Sequence, residues 1–174
     1  MRFLPTGLEG AWVVQLQPHK DERGFFARTF CAEEFAAHGL VKTFVQCNTS
    51  WNPRSGTVRG LHYQLSPSSE VKLVRCIAGA IFDVIVDLRP ASPTYLQSYS
   101  AELTADNRSA LYIPEMFAHG FQTLADDTEV FYQMSEFYAP QLGRGLRYDD
   151  PKLGINWPLS VASISTQDVS WPLL

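Results

Sequence analysis

The stretch Leu73-Val74-Arg75-Cys76-Ile77-Ala78-Gly79-Ala80-Ile81-Phe82-Asp83-Val84-Ile85-Val86-Asp87-Leu88 decides the fold class. Leu73 to Ile77 and Ala80 to Leu88 are short runs rich in β-branched and aliphatic residues, and Ala78-Gly79 between them is a turn signal. The two runs read as a β-hairpin. In the second, Phe82, Val84, Val86 and Leu88 fall on one face and Asp83 and Asp87 on the other, the period-two alternation of a strand. Asp87 is expected near an edge or turn.

The same punctuation extends in both directions. The 11 Gly and 11 Pro are spread along the chain instead of gathering in a linker. Further strands are expected at Trp12 to Leu16, Phe25 to Phe30, Phe44 to Asn48, Tyr99 to Leu103, Leu111 to Ile113, Gly120 to Leu124 and Val130 to Met134. The one good helical window is Ala32 to His38, stopped by Gly39. From Ala139 onward, Pro140, Pro151, Pro158 and Pro172 exclude long regular elements. Many short strands with irregular loops imply an all-β sandwich or barrel, and 174 residues suit a single domain spanning 1–174.

Composition narrows the function classes. With 45% hydrophobic and 18% charged residues the chain is too apolar to remain disordered. A formal net charge of -4 argues against a broad basic surface for nucleic acid, so none is expected as a partner. No apolar run approaches the ~20 residues that span a bilayer, and none resembling a secretory leader follows Met1; the expected setting is the cytoplasm, without a membrane partner. Cys31, Cys47 and Cys76 form no Cys-x-x-Cys and read as reduced packing thiols.

Three polar clusters could carry chemistry. The densest is Arg54-Ser55-Gly56-Thr57-Val58-Arg59-Gly60-Leu61-His62-Tyr63-Gln64, followed by Lys72. In a regular strand Arg59, Leu61 and Tyr63 share one face and His62 and Gln64 the other, unless a bulge at Gly60 shifts the phase. An imidazole beside two cations suits proton abstraction with stabilisation of an anionic intermediate. Taken singly, a hydrogen-bonded histidine in a barrel wall explains His62 as well; the joint occurrence favours chemistry. The second cluster is Ile113-Pro114-Glu115-Met116-Phe117-Ala118-His119-Gly120-Phe121, a histidine leading into a strand, and the third is Tyr132 within Val130 to Met134.

Asp21-Glu22-Arg23-Gly24-Phe25-Phe26, Gln46-Cys47-Asn48-Thr49-Ser50, Arg59-Gly60-Leu61-His62-Tyr63-Gln64, Lys72-Leu73-Val74, Asp83 to Arg89, Ser92-Pro93-Thr94, Ile113-Pro114, Ala118-His119-Gly120-Phe121, Tyr132, Asp150-Pro151 and Ile155-Asn156-Trp157-Pro158 resemble, in that order, the dTDP-4-dehydrorhamnose 3,5-epimerase family. The resemblance implies a cupin-type jelly-roll and a homodimer with strand exchange near the N-terminus. It implies epimerisation of a nucleotide-linked 4-keto-6-deoxyhexose, in the supply of cell-surface or secondary-metabolite sugars. By the same resemblance His62 is the base, Tyr132 the proton donor to the opposite face, Lys72 the enolate-stabilising cation and Asp168 the carboxylate that orients His62. Arg23, Gln46, Asn48, Arg59 and His119 match positions that hold the sugar and diphosphate.

No cofactor is expected. Metal-binding cupins use several histidines and a glutamate, whereas Tyr63-Gln64 follows His62 and the chain has 4 histidines, so no metal is expected either. Arg28, Gly143 and Gln167 depart from the family's pattern and alter local charge, which leaves the nucleotide base open. A 3- or 5-mono-epimerase acting on a CDP- or GDP-linked sugar, or a non-catalytic sugar-nucleotide-binding cupin, remain the alternatives.

Overall fold

A computed structural model describes the whole chain, residues 1–174. It contains thirteen strands and two short helices: β1 (Arg2–Pro5), β2 (Trp12–Gln15), β3 (His19–Asp21), β4 (Gly24–Phe26), α1 (Ala32–Ala37), β5 (Gln46–Asn52), β6 (Val58–Gln64), β7 (Lys72–Ala78), β8 (Ala80–Asp87), β9 (Ser98–Thr104), β10 (Ala110–Ile113), β11 (Phe117–Thr123), β12 (Thr128–Met134), β13 (Gly143–Gly145) and α2 (Thr166–Ser170). Six strands in the order β1-β2-β10-β7-β12-β5 form one sheet, and five in the order β13-β6-β11-β8-β9 form the other. Neighbours in both are antiparallel. The β3–β4 hairpin pairs only with itself.

The main core fills the space between the sheets. Val74 and Cys76 of β7, Leu111 and Ile113 of β10 and Val130 of β12 meet Ile81 and Ile85 of β8, Leu103 of β9 and Phe117 and Phe121 of β11. Two further apolar layers cover the outer faces. Phe35 of α1 packs with Val14, Leu73, Ala110 and Tyr112 on the six-stranded sheet. The segment carrying Leu146 and Leu153 packs with Leu61, Val84, Val86 and Ala118 on the five-stranded sheet. Aliphatic side chains at full burial contribute about 1.5–3 kcal/mol each, so strands covered on both faces supply most of the stabilisation.

The expected hairpin between Leu73–Ile77 and Ala80–Leu88 is not formed. β7 pairs with β10 and β12, whereas β8 pairs with β9 and β11, and Gly79 carries the chain from one sheet to the other. Its φ is +73°, and a Cβ there would sit 2.4 Å from Thr128 Oγ1. The physical reason is that a turn residue reports a reversal, not whether the flanking strands then pair or face one another. Apart from the exposed Ile77, both runs are buried or half-buried on both faces, which allows each to sit inside a different sheet.

The alternation within β8 is as read, but the destinations of its faces are not those of a half-exposed strand. Val84 and Val86 point under the C-terminal segment, while Asp83 lies on the Ile81–Ile85 side, between the sheets, with no exposed surface. Asp87 ends the strand and is also fully buried. It accepts hydrogen bonds from Arg89, Ser92 and Thr94. The helix forms as expected and stops before Gly39, whose φ is +70°.

Candidate active site

At one end of the inter-sheet space the apolar filling gives way to a cavity of about 730 Å³. Phe121 belongs to both the core and the cavity wall. The six-stranded sheet contributes Gln46, Asn48 and Ser50 from β5, Lys72 from β7 and Tyr132 from β12. The five-stranded sheet contributes Arg59 and His62 from β6 and His119 from β11; Asp168 enters from α2.

A bulge in β6 brings Arg59 and His62 to the same cavity. His119 of β11 faces His62, but Phe121, two positions on, faces Arg59, three positions back, so β6 carries one extra residue. Gly60 occupies the bulge at φ +107°, where a Cβ would lie 2.6 Å from Gly120 Cα. The regular-strand assignment, with Arg59 and His62 on opposite faces, is thereby corrected: three residues of separation and one bulge put both on the cavity wall.

His62 Nε2 donates to Asp168 Oδ1 at 2.6 Å, and Gly60 N–H donates to Asp168 Oδ2 at 3.2 Å. The carboxylate is only 5% exposed, the imidazole 48%. Burial pushes the Asp168 carboxyl up, but the hydrogen bond and charge of His62, with the Gly60 N–H, outweigh it and hold the group below its ordinary range. An ionised acceptor fixes the proton on Nε2, which leaves the lone pair of the neutral ring on Nδ1. Ser165 caps the first turn of α2, its Oγ accepting from Asp168 N–H at 3.0 Å, and so fixes the helix that carries the carboxylate.

Across the cavity Tyr132 lies with its hydroxyl 3.1 Å from Ser50 Oγ. Burial raises its phenol far above the usual value, the Ser50 hydrogen bond opposing only in part. The group is therefore a neutral O–H at physiological pH and holds the proton that the opposite face of the substrate would need. Lys72 Nζ is ion-paired with Glu70 Oε1 at 3.1 Å and donates to His62 O at 3.2 Å. Arg59 Nε donates to the buried Asn52 Oδ1 at 2.6 Å, and His119 Nε2 meets the fully buried Asp83 Oδ1 at 2.7 Å.

Of the residues singled out in the sequence, His62, Tyr132, Lys72, Asp168, Gln46, Asn48, Arg59 and His119 all line this cavity. Arg23 does not. It sits at the turn of the β3–β4 hairpin, its side chain 84% exposed and paired with Asp21. Ser50 and Glu70, which line the cavity, and Asp83, which is buried behind His119, are not singled out as site residues by the sequence reading. Asp83 had a legible signal, a carboxylate inside an otherwise aliphatic strand; Ser50 and Glu70 had none beyond being polar. No group of three or more His, Cys, Asp and Glu side chains gathers in a way that could hold a metal ion.

Comparison with known proteins agrees with this geometry. Residues 5–174 match the family described as dTDP-4-dehydrorhamnose 3,5-epimerase. A dTDP-4-dehydrorhamnose 3,5-epimerase from Methanothermobacter thermautotrophicus is 44% identical over 173 residues, covering 98% of this chain and 92% of that protein. The crystal structure of a dTDP-4-dehydrorhamnose 3,5-epimerase from Bacillus anthracis with TDP and PPi bound superposes with a TM-score of 0.96 at 38% identity, covering 99% of both chains. A dTDP-6-deoxy-D-glucose-3,5-epimerase from Legionella pneumophila in complex with dTDP-4-keto-L-rhamnose gives 0.92 at 36% identity, covering 99% of this chain and 92% of that one. The jelly-roll expectation for the fold is met by these matches.

Proposed function

The chain belongs to the dTDP-4-dehydrorhamnose 3,5-epimerase family, and on that basis we propose that it converts dTDP-4-dehydro-6-deoxy-D-glucose to dTDP-4-dehydro-L-rhamnose by inverting C3 and C5. It is an isomerase acting on a sugar nucleotide. The observation that carries the reading is the placement of an Asp168-bound imidazole and a buried, neutral phenol on opposed sheets around one cavity.

The 4-keto group acidifies the C–H bonds on its two neighbouring carbons. Nδ1 of His62 takes the proton, the C–H electron pair moves toward the ketone oxygen, and the Lys72 ammonium faces the resulting enolate charge. Tyr132 O–H then delivers a proton to the opposite face of the same carbon. The imidazolium and the phenolate that remain are reset by proton exchange with solvent. Asp168 favours the reaction by stabilising the imidazolium and by holding the ring in the tautomer whose lone pair enters the cavity. Arg59, His119, Gln46 and Asn48 hold the sugar and diphosphate, the guanidinium fork of Arg59 matching phosphate oxygens.

The protein works as a homodimer in the cytoplasm. Support for the dimer comes from the β3–β4 hairpin, which packs into neither sheet and exposes Phe25 by 47% and Phe26 by 76%. Docked on a second copy, it would bring Arg23 to that copy's substrate. No helix is long and apolar enough to cross a membrane. The test of substrate is kcat/KM for the dTDP-, CDP- and GDP-linked 4-keto-6-deoxy sugars side by side. A preference for the dTDP sugar of about tenfold or more supports the proposal, and equal or better use of another nucleotide overturns it.

A further inference from the structure

One residue of the Arg59–Gln64 motif has no part in the reaction as derived above, yet it is the most heavily bonded amide in the molecule. Gln64 closes β6, two positions after His62, and is only 3% exposed. Its Oε1 accepts from Ala139 N–H at 2.6 Å, and its Nε2 donates to Ser68 O at 2.9 Å and to Phe137 O at 3.2 Å. Glu70 Oε2 lies 3.4 Å from the same nitrogen. The pattern fixes the amide's orientation: turned over, it would set N–H against N–H and carbonyl against two carbonyls.

The segment that Gln64 grips has little else to hold it. No backbone–backbone hydrogen bond involves Glu136, Phe137 or Tyr138; after β12 the last is Ser135 N–H to Val71 O, and the next is the turn from Leu142 N–H to Ala139 O. Tyr138 N–H donates to the Gln46 side chain at 3.2 Å, and the flanking Phe137 and Ala139 are bonded by Gln64. Phe137 and Tyr138 are 63% and 68% exposed, so apolar packing contributes little to fixing them. Tyr138 nevertheless lines the cavity. Two glutamine side chains, one from each sheet, therefore stand in for the missing backbone ladder.

We propose that Gln64, whose side chain borders the cavity, is a positioning residue that pins the Glu136–Ala139 segment as the wall of the cavity mouth, so that substrate affinity depends on an amide whose hydrogen bonds go to that wall. The proposal rests on reading the cavity as a sugar-nucleotide site, but its mechanical part does not. An ordered wall costs no further conformational entropy when the ligand arrives; a loose one must be ordered at that moment, which weakens binding while leaving His62 and Tyr132 in place.

The test substitutes Gln64→Leu, which keeps similar volume and removes every hydrogen bond. We expect chymotrypsin cleavage after Phe137 and Tyr138 about tenfold faster than in the wild type, and dTDP dissociation constant and KM both raised about tenfold, with kcat within about threefold. Wild-type cleavage rate with wild-type KM overturns the proposal, and so does a loss confined to kcat. Should Gln64→Leu fail to fold, hydrogen exchange on the wild type decides: an Ala139 amide protected well beyond that of a free loop supports the pin, and one exchanging at the free-loop rate overturns it. Cleavage and exchange need no turnover, so an inactive wild type would refute the proposed reaction and leave this result standing.

Discussion

The imidazole of His62 and the carboxylate of Asp168 meet at 2.6 Å although 106 positions separate them in the chain. The contact joins an inner strand of one sheet to the last short helix, so the base is complete only when the loop-rich C-terminal segment has wrapped the outer face of that sheet. Removing the carboxylate should therefore act on chemistry more than on binding. Asp168→Asn is expected to lower kcat roughly 10²- to 10⁴-fold with a KM change of less than about threefold, read by steady-state kinetics. An unchanged kcat would contradict the role.

Tyr132 separates proton removal from inversion. Tyr132→Phe keeps the ring that packs beside His119 and deletes the proton donor. Solvent deuterium should still enter the substrate through His62, while formation of the inverted product falls by about 10² or more. NMR of the recovered sugar distinguishes the two. Equal loss of both would mean that the phenol does more than reprotonate.

Asp87 gives a prediction about pH and stability. Burial pushes its carboxyl up, but the Arg89 guanidinium, the Ser92 hydroxyl, the Arg89 N–H and the Thr94 hydroxyl outweigh that and hold it well below the ordinary range. A depressed folded value means stabilisation that is complete above the unfolded value of about 4 and is lost as pH falls toward the folded one. Asp87→Asn should cost about 2–3 kcal/mol at pH 7, and the gap to wild type should narrow below about pH 4. Urea denaturation at pH 7 and at pH 3 checks both.

The bulge at Gly60 is the simplest place to break fold and site together. Gly60→Ala puts a Cβ 2.7 Å from His119 O at a φ of +107°. We expect a loss of more than about 2 kcal/mol in the urea midpoint analysis, with activity falling in parallel because Arg59 and His62 lose their common face.

How much of this was readable beforehand depends on which interactions are local. The period-two runs gave most strands because alternation is written into consecutive residues, and α1 was visible because Gly39 ends it at positive φ. The placement of β7 and β8 in different sheets was not visible, since Gly79 announces a turn and says nothing about hydrogen-bond partners two strands away. The residues that gather in the cavity came from resemblance rather than from periodicity. Local reading puts His62 and Arg59 on opposite faces unless Gly60 bulges, and the register slip against β11 is what decides for the bulge. Asp83 and Glu70 went unassigned because their partners, His119 and Lys72, are defined by cross-strand geometry or by a turn rather than by a sequence pattern.

The most direct test of the central claim incubates the wild type and His62→Ala with dTDP-4-dehydro-6-deoxy-D-glucose in deuterated water and locates the label by NMR. The account requires deuterium at both C3 and C5 with the wild type and a loss of at least about 10³-fold in labelling rate with His62→Ala. Labelling of the wild type at one carbon alone would contradict the double inversion, and labelling by His62→Ala at the wild-type rate would remove the base from the mechanism.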